Sequence, residues 1–444
     1  MAALALMTAA CSNDDNDLPQ QPAKAEGIPF TATISISQSA STRALTENGT
    51  KIEATWAVDD KVALIHNGVK DEMTVSAVNA GVATITGTIT GSPSGGDAVT
   101  IIYPSDAADG TTGNVKSDWL SSQVGTLKGT SGTSIEEKYD VRKGSGALNA
   151  SGTSLDGTVS LTNQNAIFKL TLKDIDGTSD VSANSVIISD QTGTVTTVTP
   201  ASATNVMYVA LPTTATTLKF LVTGSDSKKY FNMASSLSLG ASYYQSTVKL
   251  ATVGDVILST GKCAKAGTGS PVAMIAYLGN DAETSPTNTA FKNGLALALE
   301  DVSDRKTWCS QRGATCLAHY PDGTEKGDMA GIANTDALVN HTSHTHAAAS
   351  AAKHFKYVST ADEGAHPTGT SAWFLPSAGQ WDKMIGSTGL GLSNLGLQGM
   401  GLTEYWSSTE SNASTSNAWC FNKNGIWNGS QKGKVSQVRA CLAF

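Results

Sequence analysis

Cysteine and histidine are the residues here whose type and spacing could do chemistry. Five of the six cysteines (Cys263, Cys309, Cys316, Cys420 and Cys441) fall in the last 190 or so residues. Five thiols allow two bridges and one left over, and spacing alone does not fix the pairing. Cys309 and Cys316 would close an eight-residue loop, worth about 2.5 kcal/mol by chain entropy before strain. Cys420 and Cys441 sit on predicted adjacent strands and could face each other, which leaves Cys263 as the candidate free thiol. In an exported chain such pairs are disulfide candidates. His341, His344, His346 and His354 form the one metal-like cluster, with His341 and His344 placed to share a helix face. Zinc accepts imidazole, but the run is set in Thr, Ser and Ala without an acidic or Cys partner. It reads as a solvated loop between two helices, so no metal and no cofactor is expected.

The elements that must position these groups differ along the chain. Charged residues are 15% of the 444, against roughly 25% in average soluble proteins. Ser, Thr and Gly clusters separate short Val/Ile/Leu/Tyr runs, the pattern of an all-β chain. Period-two alternation begins at Phe30 and recurs at Lys61–Ile65, Val82–Ile89, Ala98–Tyr103, Val159–Leu161, Ala166–Leu172, Ser185–Ser189, Asn205–Leu211, Thr217–Val222 and Tyr243–Leu250. Two β-sandwiches follow, divided near the Gly144–Leu148 stretch. Beyond residue 252 the character shifts, with six of the eight Trp. There Gly294–Leu299 predicts a buried strand, and Thr335–Asn340 and Ala347–Phe355 predict helices. Ser377 and Gln380 have capping-box spacing before Trp381, Met384 and Ile385. The chain closes in strands at Ala418–Asn422, Gly425–Trp427 and Val435–Leu442. Trp427, between Gly425 and Gly429, is expected to be exposed and is the ligand-binding candidate.

A net charge of −8 disfavours nucleic acid, and no apolar run after the first residues is long enough for a spanning helix. Met1–Ala10 reads as a partial signal peptide without its charged n-region, which implies a start codon upstream or a sequence that begins inside the signal. Met7-Thr8-Ala9-Ala10-Cys11 resembles a lipobox, with Thr8 where Leu is usual, so Cys11 is the expected lipidation site. The acidic Ser12–Asp17 run resembles an export tag for the outer face of the outer membrane. Residues 12–28 are polar and Pro-containing, a tether. The expected division is 1–10 signal, 11–28 tether, 29–146 and 147–251 β-sandwiches, and 252–444 an α+β domain.

Ser41-Thr42-Arg43-Ala44, Trp56-Ala-Val-Asp59-Asp60-Lys-Val62, Ile101-Ile-Tyr103-Pro104, Asn165–Leu170, Tyr208–Pro212 and Leu239–Tyr244 occur in order over about 220 residues. Together they resemble the fimbrillin-like family of type V pilus subunits, with Asp59 where that family has Gly. The resemblance implies two transthyretin-like sandwiches and a lipoprotein precursor cut after Arg43, before Ala44. It also implies partners that are other fimbrial subunits joined by strand addition. Trp373–Trp381, Tyr405–Glu410 and Val438-Arg439-Ala-Cys441 resemble a C-type-lectin-like domain, expected to meet a protein or glycan. Such domains take calcium through a Pro-containing loop plus Trp-Asn-Asp; here only Trp427-Asn428-Gly429 stands. Formylglycine-generating enzymes share the fold and hold Cu(I) between two thiolates, but their Gly-rich Trp motif and terminal Arg-Gly-Gly are missing, so no enzyme is expected. The expectation is a surface lipoprotein that becomes part of a fimbrium as a tip or accessory adhesin, bound to the membrane only by its lipid. The tip follows from a last strand paired with the first of its domain, leaving none to donate. The alternative is a surface lipoprotein that captures a glycan or protein without polymerising.

Overall fold

The computed structural model describes residues 27–36, 45–48, 51–53, 55–129, 132–234, 237–284, 290–316, 326–395, 404–411, 415–422 and 425–444. Cys11, Arg43 and Ala44 lie outside them, as does the side chain of Trp427. The chain is mainly β, in several sheets. No helix among the described residues is long and apolar enough to cross a membrane.

Seven strands close into a barrel in the order Ile28–Ile36, Val159–Asn163, Arg142–Ala147, Ala98–Tyr103, Lys61–His66, Val69–Asn79, Val82–Ile89. The Lys61–His66 and Val69–Asn79 strands turn at Asn67-Gly68, with φ of 47° and 75°, the left-handed pair that a twisted two-residue hairpin requires. Phe30, Ile34, Leu64, Met73, Val75, Ile85, Ile101 and Leu161 fill the interior. Trp56 meets Tyr103 edge-on there, ring centroids 5.2 Å apart. The barrel continues to Asn163, past the boundary expected near 146. At Gly144 and Gly146 a Cβ would lie 2.6 Å from Leu161 and 2.5 Å from Val159, respectively. Glycine is needed there because a neighbouring strand lies against the backbone.

The second sheet runs Val206–Pro212, Asn165–Asp174, Tyr243–Thr252, Lys229–Ala234, Leu218–Gly224, Ala183–Ser189, Thr194–Val198, Ser122–Gln123. Its two ends meet. The buried Gln123 amide donates to the Ala210 carbonyl at 2.8 Å and accepts from the Ala210 N–H at 2.9 Å. The Tyr208 N–H donates to the Gly125 carbonyl. This closing segment comes from the first half of the chain, so the two units interlock rather than follow each other. Of the strands found, the long Val69–Asn79 was missed by alternation because charges interrupt it. Asp71 is nonetheless buried, accepting from the Thr90 N–H and hydroxyl.

Beyond Thr252 five strands are ordered Cys263–Ala264, Val256–Leu258, Pro271–Leu278, Gly294–Ala298, Cys441–Ala443. A second sheet of Tyr405–Glu410, Asn417–Asn422 and Gly425–Gln431, a short pair of Lys306–Thr307 with Val435–Ser436, and helices Gly331–Val339, Ala347–Lys353 and Ala378–Ile385 also belong to this region. The Ser377–Gln380 capping box is formed as expected. One hydrophobic core joins Leu221, Phe231 and Ala251 of the second sheet to Ile257, Val272 and Phe444. The compositional break at 252 therefore marks a change of architecture, not a gap in packing.

Two expectations about the closing strand are corrected. Val435–Leu442 is not one strand, and its last part pairs with Gly294–Ala298, not with the first strand of the region. The physical reason is Arg439, whose buried guanidinium turns inward to Asp301 and to the Ala298 carbonyl. A buried guanidinium must be paired, and this pairing holds the chain beside Ala298, whose N–H donates to the Ala440 carbonyl. Val435 is left 53% exposed.

Candidate functional site

The barrel-closing strand Ile28–Ile36 is sequence-local in its logic. Phe30, Ala32 and Ile34 are buried, and the residues between them face outward. It pairs antiparallel with Val82–Ile89 from Ile28–Ile89 to Ser35–Val82, and parallel with Val159–Leu161 at Ile34–Ile36. Both its edges are thus used, and it joins Val82–Ile89 to Val159–Asn163 in the ring.

Beyond the next described gap, Leu45 and Glu47 hold the chain to the second sheet. Leu45 is buried against Ile135, Tyr139, Ile167 and Ala210, and its N–H donates to the Glu136 carboxylate at 2.8 Å. The Glu47 carboxylate accepts from Lys169 Nζ at 2.8 and 2.9 Å and from the Tyr208 hydroxyl at 2.7 Å. The Tyr243 hydroxyl and Gln245 Nε2 each add a bond at 3.0 Å. Hydrogen bonds from Lys169 and Tyr208 hold the Glu47 carboxyl below its ordinary range. Glu47 in turn raises the Lys169 ammonium. Lys169, Tyr208 and Tyr243 come from three separate motif segments on three adjacent strands, and Glu47 is the point at which they converge. Sequence reasoning missed it: a single Glu in a polar stretch carries no signal for partners 122 to 198 residues away.

Asp59, at the position where Gly was expected, keeps the turn. It adopts φ +75°, donates its N–H to the Val75 carbonyl at 2.9 Å, and leaves Asp60 to accept from the Ala57 N–H at 2.8 Å.

In the C-terminal region the cysteines are free thiols. Cys309 and Cys316 do come together, sulfurs 3.9 Å apart. Cys420 and Cys441 do not occupy adjacent strands. They belong to different sheets and different parts of the core, because the Cys441 strand is drawn to Gly294–Ala298. Cys263 borders a cleft of about 680 Å³ with Asn232, Lys249 and Thr368, and burial pushes its thiol up to about 12. Trp427 stands in the Gly425–Gln431 strand opposite Cys420. A second, polar cleft of about 570 Å³ is lined by Glu300, Asp301, Lys306, Ser350, His354 and Glu363.

The histidines also sort differently from expectation. His341 and His344 stack on each other between the two helices, 5.0 Å between centroids. His346, however, is buried and packs edge-on against Trp308 at 5.3 Å. Burial lowers its pKa to about 4, so the ring is neutral. Trp308, Trp373, Trp381 and Trp406 are buried, each with its indole N–H donating to a backbone carbonyl. They build the core and are not ligand-facing.

No family model matches this chain, and no curated protein matches it. Among solved structures, a fimbrial protein from Bacteroides ovatus is 14% identical over 95% of this chain and 100% of that one, with a TM-score of 0.30. A fimbrial assembly protein from Parabacteroides distasonis is 11% identical over 50% of this chain and 90% of that one, with a TM-score of 0.28. Likenesses of this size place no constraint on what this chain does.

Proposed function

We propose that this chain is a fimbrial subunit of the fimbrillin type. In this reading it is exported as a lipoprotein acylated at Cys11, anchored on the outer membrane surface, and released into a fimbrium by cleavage after Arg43. The observation that carries this reading is the pair of attachments either side of that residue. Ile28–Ile36 closes the barrel and is joined to the body through the segment containing Arg43, while Leu45 and Glu47 are fastened to the second sheet. A cut between them would free the strand without loosening the body. Its departure would leave the edges of Val82–Ile89 and Val159–Asn163 unpaired and the Phe30, Ala32 and Ile34 seats empty. An incoming strand with the same alternation fits there, by backbone ladder for affinity and alternate side chains for register. Reburial of each large apolar side chain supplies about 1.5–3 kcal/mol.

A tip or accessory position, with the C-terminal region as a lectin-like module for a protein or glycan partner, is the finer part of the proposal. It is supported by the Cys441–Ala443 strand, which is bonded to Gly294–Ala298 on one side and to Ser371 and Phe374 on the other, so this strand is not a donor. No catalytic step belongs to the reading.

An Arg43→Ala form expressed in cells tests the processing step: it should remain a lipid-anchored precursor outside any polymer, and normal assembly would overturn the assignment. Immunogold labelling against residues 252–444 tests position, since label spread along the shaft excludes the tip.

A further inference from the structure

We propose that Cys309, Cys316 and His346 bind one zinc ion. The two Sγ atoms and one imidazole nitrogen lie within 4.8 Å of one another. The sulfur separation of 3.9 Å is close to the roughly 3.8 Å set by two thiolates at 2.3 Å from a tetrahedral zinc. The histidine supplies the independent observation. Its Nδ1 stands 3.1 Å from the Trp308 carbonyl, which can only accept, so Nδ1 carries the proton. Nε2 therefore presents its lone pair, and among the described residues it is buried without a partner in a residue only 3% exposed. Buried polar nitrogens are rarely left so. A carbonyl that fixes the tautomer and ring orientation of a histidine ligand is the usual outer-shell arrangement at zinc.

The loop carrying the thiols is held ready from behind. The Cys316 N–H donates to both Glu410 carboxylate oxygens, at 3.0 and 2.9 Å. Glu410 pairs with the buried Lys432, whose Nζ also donates to the Ala314 carbonyl at 2.6 Å. The Cys309 N–H donates to the Lys432 carbonyl at 3.2 Å. Ser310 and Thr345 bridge the loop to the His346 segment, N–H to carbonyl at 2.9 Å and N–H to hydroxyl at 3.1 Å. Glu410 and Lys432 neutralise each other, so two thiolates leave a charge that one divalent cation balances. Metal binding by thiols releases their protons to solvent. A Cys2His set suits zinc, with water in the fourth position. The ion would tie the Cys309–Cys316 loop to the start of the Ala347–Lys353 helix.

The full chain, purified under reductant and titrated with Co²⁺, should take up one equivalent and show thiolate-to-cobalt charge-transfer absorption, abolished by added Zn²⁺. Cys316→Ser and His346→Gln should each weaken binding about tenfold or more; Cys263→Ser should not. Cys316 is half-buried, so its variant keeps the test valid if His346→Gln fails to fold. Absence of the band, its survival in folded Cys316→Ser protein, or a Cys309–Cys316 disulfide in peptide maps of protein isolated from cells would each overturn the proposal.

Discussion

Ile28–Ile36 and Cys441–Ala443 are both bonded on two edges, yet they are held in different ways. The first alternates, with one face in the barrel core and the other in solvent. Apart from the Thr33 hydroxyl, which meets that of Thr158 at 2.8 Å, its ladder and apolar contacts are of a kind any strand with the same alternation could make. The second is buried on both faces. Phe444, just beyond it, packs on Phe231 of the preceding sheet at 4.6 Å between centroids, and Arg439, just before it, is paired with Asp301. Its contacts are specific to these side chains. The difference teaches that two strands with equally complete hydrogen-bond pairing can differ in burial, and that burial on the second face ties a strand to its particular neighbours.

The sharpest way to break the comparison is to truncate one side chain from each end. Phe444→Ala should cost about 3–5 kcal/mol, and denaturant unfolding should show the second sheet and the C-terminal region weakened together, because Phe444 lies in their shared core. Phe30→Ala should cost a similar amount, but hydrogen exchange should confine the loss of protection to the seven barrel strands. Protection lost equally throughout in both variants would mean that the strand is not separable.

A smaller effect is expected at the anchor. Glu47→Gln should cost roughly 1 kcal/mol, since the carboxylate is partly solvated and its ion pair screened. The folded-state pKa of Glu47 is depressed from 4.5, so its contribution is present above the ordinary glutamate range and is lost as pH falls through the folded value. The exchange rate of the Leu45 amide should thus differ between wild type and variant near neutrality and converge in acid. A difference that persisted in acid would show that charge is not what holds this segment.

The smallest effect tests whether the family-like turn is merely retained or improved upon. Asp59→Gly should stabilise by no more than about 1 kcal/mol, since relief of the left-handed conformation is partly offset by glycine's greater entropy when unfolded. Thermal unfolding measures it, and a clear loss of stability would show that the Asp59 side chain has a role of its own.

Local pattern determined a good deal. Val82–Ile89 and Ala98–Tyr103 form over the predicted residues, a helix starts at Ala347 as predicted and ends at Lys353, two residues short of Phe355, and the Ser377 capping box is where spacing put it. These follow from contacts within a few residues, which a sequence carries directly. What only tertiary structure decided depends on approach between distant segments. Gly144 and Gly146 read as the boundary between two sandwiches until the Val159–Leu161 strand is laid against them. Glu47 is unremarkable until four strangers in sequence point at it. His346 looks like its solvated neighbours until Trp308 and the Cys309–Cys316 loop enclose it. Burial and the orientation of a lone pair are properties of the surroundings, and the surroundings are set by chain folding, not by the residue.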